Sequence, residues 1–167
     1  SGQTPGAAGI RVGGGHTDAP RLDLKPRPVY EKGGLVYFDT HVYGGIKKYQ
    51  WTCIPLALIG VVFTKDGKKV DINIGLKDSD PVFYVSDLLI HMAQDQMKKT
   101  LAEGITGEQL QAVAATHSQE GQTPKDAIMT LLKKEYGIEE EDFAAAELEL
   151  VPATNSRDVG FDRSLIA

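Results

Sequence analysis

One cysteine in 167 residues, Cys53, leaves no partner for an internal disulfide and no ligand set for a Cys-rich zinc site. No run approaches the roughly 20 apolar residues of a membrane span, and the opening residues lack the charged-then-apolar pattern of a secretory leader. The expectation is a cytoplasmic protein with no membrane partner. Basic side chains are also in short supply: 18 Lys and Arg against 23 Asp and Glu give a formal net charge of −5. Phosphate binding needs a clustered positive field, so a nucleic-acid partner is excluded as well. There is no internal repeat and no low-complexity tract. What remains is ordinary globular usage, 41% hydrophobic and 25% charged, in a chain long enough to bury one core.

The first twenty residues are glycine-rich, and Gly9–Gly13 alternates like a short strand. Residues 35–43, LVYFDTHVY, carry the β-branched and aromatic types of a strand, closed by Gly44-Gly45. LALIGVVFT, residues 56–64, is followed by Lys65-Asp66-Gly67-Lys68 and the alternating Val70–Ile74, which reads as a β-hairpin. Residues 81–85 read as a further short strand, and another is expected near 109–115. Ser86 resembles a helix N-cap before Leu89, Ala93, Met97 and Leu101, an apolar stripe that predicts a helix of about four turns. Thr123-Pro124 opens a second helix with Ile128, Leu131 and Leu132 on its buried face and Gly137 as its stop. Glu139–Asp142 reads as a solvated, acidic helix start, and Ala146–Val151 alternates as a half-buried strand. These elements predict an α+β domain of antiparallel strands with two main helices.

Candidate chemistry rests on few residues. His16-Thr17-Asp18 follows a glycine-rich strand end, where open α/β sheets place ligands, and an aspartate two residues on can orient an imidazole. Spacing alone leaves this open between a metal ligand and a chance H-x-D. His91 falls off the apolar stripe, beside Gln94, Asp95 and Lys98, so it is an exposed histidine rather than a core one. His41 reads as structural or interfacial, and His117 sits in a polar loop. Trp51 and Tyr49 read as core or interface packing, and Cys53 as a small buried hydrophobe rather than a nucleophile. Gly13-Gly14-Gly15 lacks phosphate-loop and dinucleotide spacing.

Four blocks in order resemble one family. They are GGGHTDAPRLDLKPRPVYEKGGLVYFDTHVYGGIKKYQW, PVFYVSDLLIHMAQDQMKK, KKEYGIEEEDFAAAELELVPA and RDVGFDRSLI, and the resemblance covers roughly residues 9–166. They resemble the bacterial branch of the aspartyl aminopeptidases, dizinc exopeptidases in which a β-rich dimerisation domain is inserted into an α/β catalytic domain. The resemblance implies that residues 21–153 are that inserted domain, barrel- or sandwich-like, with 1–20 and 154–167 as flanks of the catalytic domain. It implies His16 as a metal ligand and Asp18 as the catalytic-site acid that orients it. It also implies His91 as a substrate-binding residue reaching a neighbouring subunit's active site.

Two zinc ions, peptide substrates and a homodimer or higher homo-oligomer follow from the same resemblance. The bridging aspartate, the paired glutamates and the later aspartate and histidine of the family pattern lie beyond this sequence, and Asp162 does not replace the bridging residue. A dizinc site needs a metal-bridged water and a carboxylate base. One histidine and its aspartate do not supply these. The chain by itself is therefore expected neither to hold zinc tightly nor to cleave peptides. The alternative reading is a non-catalytic, stand-alone oligomerisation module, with 36–43 and 49–51 supplying interface area.

Overall fold

A computed structural model describes residues 12–17, 19–116 and 121–167. Its frame is a closed barrel. Strands β1 (Arg21–Lys32), β2 (Leu35–Tyr43), β3 (Pro55–Phe63), β5 (Phe83–Tyr84), β6 (Ala112–Ala115) and β7 (Ala146–Pro152) pair in the order β3-β5-β6-β2-β1-β7, and β7 returns to β3. Strand β4 (Lys69–Ile74) folds back onto β3 through the Asp66-Gly67 turn, with Gly67 at φ 80°. This is the hairpin that the sequence predicts. A separate short hairpin, β8 (Asp158–Val159) with β9 (Leu165–Ile166), follows near the end of the chain.

Alternation builds the wall. Along β2, Val36, Phe38 and Thr40 point inward and their neighbours outward. Leu22, Leu56, Leu150 and Val62 from three adjoining strands fill the centre with no exposure, and Phe83 meets Phe38 with ring centroids 5.2 Å apart. Thr40, buried among them, is satisfied: its hydroxyl donates to the Leu110 carbonyl and its N–H donates to Gln111 Oε1 at 3.0 Å. Closure depends on Gly60. Its φ is +136°, and a Cβ there would lie 2.0 Å from the Glu147 carbonyl oxygen across the β3–β7 pairing.

Helix α2 (Pro124–Tyr136) covers one side. Thr123 caps it by accepting the Asp126 N–H at 3.1 Å, and Gly137 ends it at φ 70°. Ile138 follows the stop, donates back to the Leu132 carbonyl at 3.3 Å and is buried. Leu132 is the buried residue of the face; Leu131, expected beside it, is half exposed. The acidic run after α2 also departs from a solvated helix start. Residues 140–145 form a 3-10 turn in which Asp142 is buried, accepting the Lys65 N–H at 3.0 Å and the Glu139 N–H at 2.8 Å. A carboxylate holding two backbone donors serves the fold there, tying the β3–β4 hairpin to α2's exit.

The β-rich α+β class therefore holds, while the first of its two expected helices contracts. Residues 86–100 form turns with a short 3-10 piece at Gln96–Lys98, and α1 is a single turn, Leu101–Gly104. Among the described residues little covers the stripe: Leu89 and Leu101 are 70% exposed, and of the four only Ala93 is buried. A helix of this length is marginal without a tertiary face. Strand β1, which sequence reading passed over, contains Pro26 and Pro28. Its register with β2 breaks between Leu24 and Val29, so the prolines sit in a bulge, where they cost no ladder bonds.

Candidate functional site

Residues 86–103 form a lobe leaving β5 and returning to β6. Its stems are firm, because Val85 is fully buried and accepts the Cys53 N–H at 2.9 Å, and Ile105 is buried on the other side. Between them almost everything faces out. Leu88, Leu89, Ile90 and Met92 are between 51% and 70% exposed, and His91 stands among them, exposed as the sequence predicts, though on a turn and not on a helix. An apolar surface of this kind on an ordered loop marks a contact site.

The lobe is nonetheless ordered by hydrogen bonds. Met92 N–H donates to the Leu89 carbonyl at 2.8 Å and Met97 N–H to the Ala93 carbonyl at 2.8 Å. Gln96 Nε2 donates to Asp87 Oδ1 at 2.8 Å and to the Gly104 carbonyl at 3.3 Å. A cleft of about 510 Å³ adjoins its first stem, lined in part by Tyr30, Tyr37, Asp87 and Leu88, with the two tyrosine rings stacked at 5.5 Å.

Cys53 is exposed, which corrects its reading as a buried hydrophobe. It holds φ 60°, a left-handed conformation that turns the chain from the Trp51 region into β3 and leaves the side chain outside the core. Its thiol beside Tyr84 pushes that phenol above its ordinary pKa, with burial adding in the same direction. Trp51 is buried, as expected of core packing.

His16 lies in an exposed segment without regular secondary structure before β1. Asp18 and His117 lie outside the described residues, as does most of the expected strand at 9–13. Among the described residues no three His, Cys, Asp or Glu side chains come together as a metal site. The described donor set therefore does not by itself fit a zinc ion. His41 is exposed on the outer face of β2, paired across the ladder with Asp23. No helix among the described residues is long and apolar enough to cross a membrane. The ordering of the lobe was not legible in the sequence, where its one signal is the polar Gln96 next to Met97 of the apolar stripe.

The chain matches the family described as aminopeptidase I zinc metalloprotease (M18) over residues 1–167. It is 47% identical over 169 residues to a probable M18 family aminopeptidase 1 of Clostridium acetobutylicum, covering 99% of this chain and 36% of that protein. It is 45% identical over 161 residues to one from Thermotoga maritima, covering 95% of this chain and 35% of the relative. Among solved structures, the M18 aminopeptidase from Thermotoga maritima superposes with a TM-score of 0.86 at 46% identity, over 90% of this chain and 34% of that one. Aminopeptidase I from Clostridium acetobutylicum gives 0.83 at 47%, with the same 90% and 34% coverage. The chain thus spans about a third of the length of these relatives.

Proposed function

The chain belongs to the M18 family of zinc metalloproteases, and from that premise we propose that it is the dimerisation and active-site-shaping domain of a zinc-dependent aminopeptidase, one that removes N-terminal residues from peptides. Residues 21–153 are the inserted domain, and 1–20 and 154–167 are its links to the catalytic domain. The observation that carries this reading is the ordered apolar lobe with an exposed His91 at its centre. Such a surface suits a second copy of the protein, and an imidazole set within it can hydrogen-bond a peptide in the neighbouring active site.

In this reading the protein works in the cytoplasm as a homodimer or a larger homo-oligomer. His16 serves as a zinc ligand and Asp18 orients it, and the remaining ligands come from outside this chain. The 167-residue chain alone accordingly releases no N-terminal residues from peptides when zinc is added.

The test is His91→Ala in the complete polypeptide. kcat/KM for a peptide should fall about 100-fold, the scale of losing one donor to a developing oxyanion, with the oligomeric state unchanged. Wild-type kinetics with a disturbed oligomer would instead favour a pure assembly module.

A further inference from the structure

We propose that Gln96 is a positioning residue for His91: its side-chain amide clamps the two stems of the lobe and so sets where the imidazole stands. The proposal rests on the reading of His91 as a substrate contact and adds a residue to it. Across residues 86–103 only two side chains turn inward, Ala93, which is buried, and Gln96, which is half-buried. A methyl group anchors by packing alone and carries no direction. The amide does carry direction, since its Nε2 reaches nine residues back to Asp87 Oδ1 and eight forward to the Gly104 carbonyl.

Asp87 is fixed in turn, because the same Oδ1 accepts the Leu88 N–H at 2.7 Å. One nitrogen therefore bridges the residue two beyond buried Val85 and the residue just before buried Ile105. His91 lies between Asp87 and Gln96. The backbone bonds within that arc are short-range: Met92 N–H to the Leu89 carbonyl, and Ala93 N–H to the Ile90 carbonyl at 3.4 Å. Those bonds shape the turn locally but do not tie it to the barrel. With the clamp gone, the arc that holds His91 swings on its stems, and an ångström of misplacement is enough to lose a catalytic contact.

The chemistry needs an amide at this position. Glutamate would set a second carboxylate against Asp87, and leucine would supply no donor to either acceptor. The double variant Q96E/D87N restores only the Asp87 arm in reverse, since glutamate has no proton to donate to the Gly104 carbonyl. Gln96 Nε2 and the Leu88 N–H both meet Asp87 Oδ1, so D87N removes the repulsion between two carboxylates but serves only one of these two contacts at a time.

The experiment has two readouts. In the 167-residue chain, hydrogen exchange of the Met92, Ala93, Met97 and Gly104 amides should speed up about tenfold in Gln96→Leu, while amides of the β3–β7 pairing keep their rates. In the complete polypeptide, Gln96→Glu should lower kcat about tenfold with little change in KM and an unchanged oligomer, and D87N in that background should regain part of it by relieving the carboxylate repulsion. Unchanged lobe exchange in Gln96→Leu would overturn the clamp, whatever His91→Ala does. Faster exchange in the barrel as well would overturn it in favour of a general structural role. A loosened lobe with wild-type kinetics in both Gln96→Glu and His91→Ala would locate the failure in the substrate reading and overturn positioning through that premise.

Discussion

The barrel and the lobe are built on opposite terms. In the barrel, large side chains such as Leu22, Leu56 and Leu150 are wholly buried and each strand is held on both sides, except for β4 at its outer edge. In the lobe, leucines and methionines of the same kind stand in solvent, and order comes from one amide, one methyl group and a few turns. The same residue types are spent on stability in one region and left available in the other. A region that must touch a partner cannot also bury its contacts inside itself.

That contrast can be broken from the barrel side first. Gly60→Val should cost about 4 kcal/mol, because the new side chain meets the Glu147 carbonyl and β3 cannot hold φ +136° with a β-branched residue; denaturant unfolding would read this as a collapse of the transition. Leu150→Ala, at the seam of β1, β3 and β7, should cost about 3 kcal/mol in the same measurement. Asp142→Ala should cost about 2 kcal/mol by orphaning the Lys65 and Glu139 N–H groups. Leu89→Ser, in the lobe, should stay within about 0.5 kcal/mol of wild type and act instead on self-association, seen by sedimentation velocity or light scattering of the complete polypeptide.

The smallest effect concerns Glu149. Burial raises its carboxyl above the ordinary value, and Arg21 at 3.0 Å only partly opposes this. The folded state therefore holds the proton more tightly than the unfolded one, so this group's contribution to stability falls as pH rises from the ordinary glutamate value through the raised one. Glu149→Gln should flatten that slope in a pH series of thermal melts.

Much of the barrel was legible in the sequence because its signals are local. Asp66-Gly67 between two apolar strands dictates a hairpin, and Thr123-Pro124 with Gly137 brackets a helix whose caps close within its own turns. Strand β1 was not legible: two prolines argue against a strand until a bulge absorbs them, and the bulge is set by what lies across the sheet. The lobe misled for the converse reason. Leu89, Ala93, Met97 and Leu101 have helical spacing, but spacing becomes a helix only when something covers the stripe, and in this chain nothing described does. Asp142 was hidden in an acidic run whose other members are solvated, because its two donors are a neighbour's amide and one 77 residues away. His91 was read as exposed for the wrong local structure, since a polar face and an outward turn expose it equally.

Whether His91 serves the active site of another copy is tested most directly by subunit complementation. His16→Ala and His91→Ala versions of the complete polypeptide should each be nearly inactive. Mixed and allowed to exchange subunits, they should recover about one quarter of wild-type activity, since half of the sites lie in mixed dimers and one of the two there is intact. A mixture no more active than its separate components, with exchange verified, would contradict a histidine acting across the interface.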